Sequence, residues 1–397
     1  MKVLITDNAH LYKTPDGKYY TPSIYNYEFF QRYLNVFDEV RFVSKTKYVN
    51  SIDESKYILV SREGLEVFEL PWYQGSKGLI RNIFKLVLRY RNVNEGCDAT
   101  IFRIAQLESY LAFLIGKRNG KPFAVEVVND PAAFTEIRGI FKWINVSLLK
   151  FMVKRAHGVS YVTKDYLQKK YPKATRTKVS KDDSSFSTSY SSIELSDEYI
   201  LKPKEFINTN YTFEVIHVAN TINGDGKGHK TLIDTIKLIC DQGYNVSACC
   251  IGDGDSVSDF VKYAEKLGIR DRIKFIGRIH SKDALMERLA QSDLFLFPSY
   301  YEGLPRCIIE AQAAGLPCLS TPVGGIPELL SEKYLFNPDD SRGFANKIIE
   351  LIENPNELDQ MSLCNIENAK SYTSDKLTLK RNDFYEKLKS LVEIKIS

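Results

Sequence analysis

The sequence has no long hydrophobic run and no cysteine pattern. Its seven cysteines are scattered over 397 residues, and none forms a C-x-x-C pair or lies near a histidine at the spacing of a metal site. No stretch approaches the roughly 18 apolar residues of a membrane span. The start MKVLITDNAHLY is too polar for a signal peptide. We therefore expect reduced thiols and a cytoplasmic location, with peripheral attachment at the inner face of the membrane left open.

Composition excludes further classes of protein. With 44% hydrophobic and 26% charged residues, 22 Gly and 14 Pro, the chain is neither disordered nor fibrous. Charge is unevenly distributed: residues 1–200 carry 30 basic and 22 acidic side chains, whereas 201–397 carry 24 and 28. The length and this split of +8 against −4 predict two domains with different tasks.

Short β-rich runs alternate with helical patterns in both halves, which predicts an α/β protein with two doubly wound, Rossmann-like domains. Between them, Thr175–Glu198 is rich in Ser and Thr and has no apolar period, so we interpret it as a linker. The predicted domains are 1–185 and 200–375. A helical segment at 376–397 follows, and we expect it to pack back on the N-terminal domain.

One loop concentrates polar groups where such domains bind ligands. After the strand Leu294–Phe297 comes PSYYEGLPRCIIEAQAAGLP, in which Pro305 predicts a helix start and Gly315 its end. The amides and dipole of that helix form a ready phosphate site. Glu302 and Glu310 stand at its entrance and inside it, and each carboxylate can accept hydrogen bonds from sugar hydroxyls.

The segment Glu302 to Glu310, followed by STPVGGIPELL, resembles the E-x7-E signature of retaining nucleotide-sugar glycosyltransferases of family 4. DGKGHKTLIDT, VSACCIGDGD and RIKFIGRIHSKD resemble three further segments of that family, in its order, over about residues 213–335. The resemblance implies the GT-B fold, in which two Rossmann-like domains face a central cleft. The N-terminal domain would then bind the acceptor, and the C-terminal domain the nucleotide-sugar.

The resemblance implies that Glu302 contacts a hydroxyl of the donor sugar and that the Glu310 carboxylate binds the ribose. Lys227 would pair with the diphosphate and stabilise it as a leaving group without a metal. The resemblance implies neither a cofactor nor a divalent cation. Further donor contacts, mainly through backbone groups, are implied for Gly303, Leu304, Arg306, Cys307, Ile308, Gly277, Arg278 and Ile279.

Two positions depart from the family pattern. An arginine usually precedes the lysine, but here Asn220 and Thr221 stand there, and we place Asn220 in the donor site on its position. A histidine often follows the strand that is here Phe123–Val128, where this chain has Asn129–Pro131. We assign Asp130 to the catalytic set, in contact with the donor sugar or the acceptor hydroxyl. An ordinary Asp-Pro turn is the alternative.

The run SKGLIRNIFKLVLRYR places Lys77, Arg81, Lys85 and Arg89 four residues apart on one helical stripe. Such a helix suits an anionic membrane surface. A second stretch, FKWINVSLLKFMVKRAHG, combines basic and aromatic residues similarly. The alternative is an amphipathic helix whose apolar face is core and whose basic residues are solvated.

These features predict a metal-independent, hexosyl-type glycosyltransferase that acts on a glycan or lipid-linked acceptor in bacterial surface polysaccharide or glycolipid assembly. Nothing indicates nucleic-acid binding. Two alternatives remain open: a nucleotide-sugar epimerase on the same fold, and a non-catalytic binding partner.

Overall fold

A computed structural model describes residues 1–23, 25–54, 56–104, 107–133, 139–173, 185–206 and 212–396. The chain divides into two compact units. The first comprises Met1–Tyr190 together with Thr378–Ser397, and the second comprises Ser191–Leu377. Each unit is built on its own largely parallel sheet.

The strands described in the first unit are β1 (Lys2–Lys13), β2 (Tyr19–Thr21), β3 (Glu39–Tyr48), β4 (Ile58–Leu59), β5 (Leu65–Pro71), β6 (Ala99–Ile104), β7 (Phe123–Val127), β8 (Gly158–Tyr161) and β9 (Phe186–Ser189). The helices are α1 (Tyr27–Leu34), α2 (Gly75–Arg91), α3 (Leu107–Ile115), α4 (Gly139–Arg155) and α5 (Tyr166–Lys170). Parallel strands run in the order β5-β3-β1-β6-β7-β8-β9. β2 pairs with the end of β1, and β4 pairs with β2; both pairings are antiparallel.

The central strands of this sheet are apolar on both faces. Val3, Leu4 and Ile5 of β1 are fully buried, and β6 and β7 are buried along their whole length. Burial on both sides is what a parallel sheet between two layers of helices requires. The strand ends therefore become the place where polar residues can accumulate.

The second unit contains β10 (Phe213–Thr221), β11 (Val246–Asp253), β12 (Ile273–Phe275), β13 (Leu294–Phe297) and β14 (Cys318–Ser320). Its helices are α6 (His229–Asp241), α7 (Val257–Lys266), α8 (Lys282–Ala290), α9 (Arg306–Ala313), α10 (Ser341–Glu353) and α11 (Pro355–Ala369). The parallel strand order is β12-β11-β10-β13-β14, so successive strands are added first on one side of β10 and then on the other. That reversal is a topological switch point, where ligands bind at the carboxyl ends of the strands.

The linker interpretation of Thr175–Glu198 is partly wrong. Residues 174–184 lie outside the described residues, but Phe186–Ser189 form β9, which pairs in parallel with β8. The Phe186 ring packs where a side chain at Gly158 would stand, since a Cβ there would lie 2.4 Å from it. This tertiary contact and the pairing at a sheet edge override the polar composition.

The last helix, α12 (Ser374–Ile396), belongs to the first unit from Thr378 onward. Tyr385 donates a hydrogen bond of 2.7 Å to the buried Glu126 of β7, and Tyr33 and Tyr190 donate to the same carboxylate. Arg103 pairs with it at 2.6 Å. Burial would raise the pKa of Glu126, but Arg103 and the tyrosine hydroxyls outweigh it and hold the pKa below its usual value. The carboxylate thus fastens α12 to the sheet.

Among the helices described, none combines the length and the apolar character needed to cross a bilayer.

Candidate active site

The loop between β13 and α9 forms the centre of the candidate site. β13 is completely buried and delivers the chain to the carboxyl edge of the sheet. α9 begins at Arg306, one residue later than predicted, because Pro305 is extended and precedes the first turn. The helix ends before Gly315, whose φ of +72° matches the predicted stop. The first amides of α9 have no partner within the helix and favour an anion at the loop.

Lys227 and Glu302 come together across this edge. Lys227 Nζ lies 2.5 Å from Glu302 Oε1, and Ser299 Oγ donates to the same oxygen at 3.0 Å. The two charged side chains keep 29% and 12% of their surface exposed. The pair is therefore positioned by the protein and still open to a ligand.

Glycines allow the loops that carry this pair to approach each other. Gly228 has φ of +75°, and a Cβ there would lie 2.0 Å from the carbonyl oxygen of Pro298. Gly324, with φ of +59°, would place a Cβ 2.1 Å from the carbonyl oxygen of Glu302. The Gly325 amide donates to the Gly303 carbonyl at 2.7 Å. Nothing in the segment STPVGGIPELL itself predicts that its two glycines support the glutamate loop.

Glu310 has a partner that the sequence analysis missed. Lys282, the first residue of α8, places its Nζ 2.5 Å from Glu310 Oε1. Ser281 caps that helix by accepting from the Ala284 amide. Nothing in the sequence pairs Lys282 with Glu310, because the two helices meet only through the order of the strands.

Three further residues of the predicted donor site lie along the start of α9. Leu304 is 8% exposed and Ile308 is fully buried, so only their backbone groups are suited to contact a polar ligand. Burial raises the pKa of the Cys307 thiol well above its usual value, which keeps it protonated. The Cys307 thiol is therefore neutral. The charged side chains at the loop are those of Lys227, Glu302 and Arg306.

Gly277, Arg278 and Ile279 follow β12, and Asn220 lies at the end of β10. Arg278 Nε donates to the Asn220 carbonyl oxygen at 2.8 Å, and both residues are exposed. Ile279 is half-buried. Gly277 has φ of +77°, and its carbonyl accepts from the Gly252 amide at 2.9 Å. The structure thus brings the loops of β12 and β10 together by a contact that the sequence did not predict.

Asp130 is held inside the first unit. Its side chain accepts from Tyr166 and Tyr171 at 2.5 Å each, from Lys170 at 2.6 Å and from the Ala132 amide at 2.9 Å. The residue is 1% exposed. Burial would raise the pKa of Asp130, but Lys170 and the two tyrosines outweigh it and lower the pKa. These contacts favour a residue that positions the loop after β7.

The basic stripe of α2 is exposed, as Lys77, Arg81, Lys85 and Arg89 all lie on the surface. Large apolar side chains lie exposed on the same helix, and they are Ile80 (71%), Phe84 (83%) and Leu88 (62%). Core residues of α2, such as Leu86 and Tyr90, are fully buried. α4 also exposes apolar side chains, including Phe141 (70%) and Trp143 (67%). The core therefore covers only part of the apolar surface of these two helices.

Within the described parts of the chain, no group of three His, Cys, Asp or Glu side chains is arranged to hold a metal ion.

Comparison with known proteins agrees with this geometry. Residues 204–370 match the family model of glycosyl transferases group 1. Protein CapJ of Staphylococcus aureus is 28% identical over 404 residues, which cover 97% of this chain and 98% of that protein. The structure is similar to that of sucrose-phosphate synthase from Thermosynechococcus elongatus, with a TM-score of 0.71, 14% identity and coverage of 98% and 100% of the two chains. It is also similar to Anabaena Alr3699/HepE in complex with UDP and glucose, with a TM-score of 0.64, 18% identity and coverage of 98% and 99%.

The family match, the relative that spans the whole chain and the shared fold support a GT-B glycosyltransferase of the family 4 type. They likewise support sugar transfer from a nucleotide-sugar. The resemblance, the fold class and this general function, all predicted from the sequence, are confirmed.

Proposed function

We propose that the chain is a retaining, hexosyl-type glycosyltransferase in which Lys227 and Glu302 act at the sugar and diphosphate of the donor. The observation that carries this assignment is their 2.5 Å pairing at the amino end of α9. At that end the Lys227 ammonium group, the Glu302 carboxylate and the first amides of α9 lie close together. A nucleotide-diphosphate sugar needs these groups for its phosphates and its sugar hydroxyls.

In this proposal the bond between the anomeric carbon and the diphosphate oxygen breaks, and the acceptor oxygen bonds to that carbon on the same face that the diphosphate leaves. The acceptor proton passes to the departing phosphate, so no protein base is required. Lys227 and the α9 amides stabilise the charge that grows on the diphosphate. Glu302 binds a hydroxyl of the donor sugar. Glu310, held by Lys282, accepts from the ribose.

Metal independence follows in this proposal because a lysine and a helix amino end supply positive charge to the leaving group. The donor base is open. UDP is the first nucleotide to test because the similar structure from Anabaena contains UDP.

The two predicted domains would bind different substrates of the reaction. Residues 200–375 would hold the donor, and residues 1–185 would bind a glycan or lipid-linked acceptor. Asp130, with its carboxylate fully engaged, would position the loop after β7 instead of touching the donor. Residues 376–397 would serve the acceptor domain through α12.

Docking of α2 at the inner face of the membrane would bring this domain to a lipid-linked acceptor. The helix carries Lys77, Arg81, Lys85 and Arg89 without any acidic residue, beside exposed Phe84. Basic side chains attract anionic lipid by about 1 kcal/mol each near the surface, and exposed apolar side chains can enter the interface.

The enzymatic proposal is tested by incubating the purified chain with a panel of nucleotide-sugars, with and without glycan acceptors, in the presence of EDTA. We expect a glycoside with the anomeric configuration of the donor, formed only when acceptor is present. Donor conversion without acceptor would instead identify an epimerase. Specific donor binding without any product would identify a binding partner.

Membrane docking is tested by flotation with anionic and neutral liposomes. The triple variant Lys77→Glu, Arg81→Glu, Lys85→Glu should lose binding to anionic vesicles by more than about 10-fold. Arg89 is left intact because it bonds to the Glu69 carbonyl. The control, Lys262→Glu, Lys266→Glu, Lys274→Glu, reverses three exposed charges of the second unit. Equal binding of wild type to both vesicle types would contradict docking.

A further inference from the structure

The two lysine–glutamate pairs at the donor loop do not by themselves suffice for a diphosphate. Lys227 is paired with Glu302, and Lys282 is paired with Glu310. Each pair sums to zero. The amino end of α9 adds only about half a positive charge. A bound diphosphate therefore calls for a cation that no carboxylate already neutralises.

Arg278 meets that requirement. Among the described residues, no carboxylate pairs with Arg278, and its one hydrogen bond joins Nε to the Asn220 carbonyl oxygen. A guanidinium has five N–H donors. Those not used by Asn220 remain available for the two-point recognition of a phosphate.

The contact with Asn220 places this guanidinium at the switch point of the sheet. Asn220 is the last residue but one of β10, the central strand, whose following loop carries Lys227. β13, the neighbour of β10, leads to Glu302. Ligands of open α/β sheets bind at such a place. Arg278 thus reaches the same edge as the Lys227 and Glu302 pair.

Glycine at position 252 makes this reach possible. β11 lies between β12 and β10, so the Arg278 loop must cross its end. A Cβ at Gly252 would lie 1.8 Å from the Ala219 carbonyl oxygen, and the Gly252 amide donates to Gly277. Because Gly252 has no side chain, the ends of β10, β11 and β12 can lie close together beside Arg278.

We propose that Arg278 binds the diphosphate of the donor, with the Asn220 carbonyl holding its guanidinium in place. The sequence-based expectation gave this residue only as one of several further donor contacts, made mainly through backbone groups. The proposal rests on the proposed donor function of the second unit. Its rival is Arg306, the first residue of α9, which also has no carboxylate partner within the described ranges.

The experiment compares nucleoside diphosphates with the matching monophosphates by isothermal titration calorimetry, starting with UDP and UMP and continuing through GDP and ADP. Arg278→Ala should weaken diphosphate binding by about 10-fold to 100-fold and monophosphate binding far less. Arg278→Lys should lie between wild type and Arg278→Ala, because lysine keeps the charge and loses the planar fork. Arg306→Ala is measured as the rival. The matched control is Arg270→Ala, which removes an exposed arginine of the same unit that bonds to a backbone carbonyl oxygen at the opposite end of β12 and should change both affinities by less than about 3-fold.

Equal losses for the diphosphate and the monophosphate in Arg278→Ala would overturn the assignment and indicate a base contact. An unchanged Arg278→Ala beside a weakened Arg306→Ala would assign the role to Arg306. If the wild type binds no nucleoside diphosphate at all, the proposed donor function is contradicted. If the wild type binds and Arg278→Ala binds equally well, only the role of Arg278 is contradicted.

Discussion

The two units place their charged groups differently on closely related sheets. In the second unit, Glu302 lies in the loop before α9 and Glu310 lies within α9. Both are partly exposed, and each pairs with a lysine from another segment of the chain. In the first unit, Asp130 and Glu126 are 1% and 2% exposed and are saturated by internal donors. The first unit also carries an exposed basic stripe, which lies along α2.

This contrast separates charges that build the fold from charges that remain available to a ligand. A buried carboxylate with several donors is expensive to disturb and closed to substrate. A half-exposed pair contributes little stability, yet its partners can be exchanged for phosphate or hydroxyl groups. Substitutions should therefore affect activity in the second unit and stability in the first.

The largest effect is expected for the pair in the second unit. Glu302→Gln or Lys227→Ala should lower kcat/KM by about 10²-fold to 10³-fold, because each removes a group that meets charge or hydroxyls in the transition state. Unfolding in urea should change little, since both side chains are partly exposed. The double variant should lose less than the product of the two single losses, because the residues act together. Wild-type turnover in either single variant would contradict the site.

The opposite pattern is expected for Asp130→Ala in the first unit. Removing this carboxylate leaves Tyr166, Tyr171 and Lys170 without their acceptor, which should cost about 2–3 kcal/mol of unfolding free energy. Urea unfolding and hydrogen exchange after β7 measure the loss. The folded fraction should keep kcat/KM within about 3-fold of wild type. A stable Asp130→Ala variant with a 10²-fold loss of turnover would restore Asp130 to the catalytic set.

Mild acid should produce a smaller effect that also differs between the units. Burial lowers the pKa of His217 to about 4 and that of His229 to about 2, so both stay neutral in the folded second unit. The unfolded chain takes up protons near its ordinary histidine value of about 6.5, and the second unit should lose stability as pH falls below that value. The lowered pKa values of Glu126 and Asp130 contribute stability that is lost only below about pH 4.

His229→Phe provides the control for this acid sensitivity. The His229 ring stacks on Phe260 with centroids 4.9 Å apart, and neither ring nitrogen has a hydrogen-bond partner among the residues that the structure describes. Phenylalanine should therefore fit and flatten the pH dependence of the second unit between pH 6.5 and 4.5. Hydrogen exchange at several pH values, analysed for each unit, measures this. An unchanged dependence in His229→Phe would exclude His229 as its source.

Sequence reasoning identified the features that depend on local chemistry. Alternating strand and helix patterns, Pro305 and Gly315 around α9, and the two glutamates of one loop are all readable along the chain, because backbone preferences act over a few residues. Exposure of the α2 basic stripe also follows from its period. The interpretation of Thr175–Glu198 was wrong at β9 because pairing with β8 is a distant contact that composition does not reveal.

The sequence by itself thus determined the α/β class, the glycosyltransferase resemblance and the loop proposed for the site. Only the tertiary structure decided the partners: Lys227 with Glu302, Lys282 with Glu310, Arg278 with Asn220, and the donors that enclose Asp130. The physical reason is the strand order. Placing β10 between β11 and β13 brings together loops that lie far apart along the chain, and no local pattern encodes which side chains then meet.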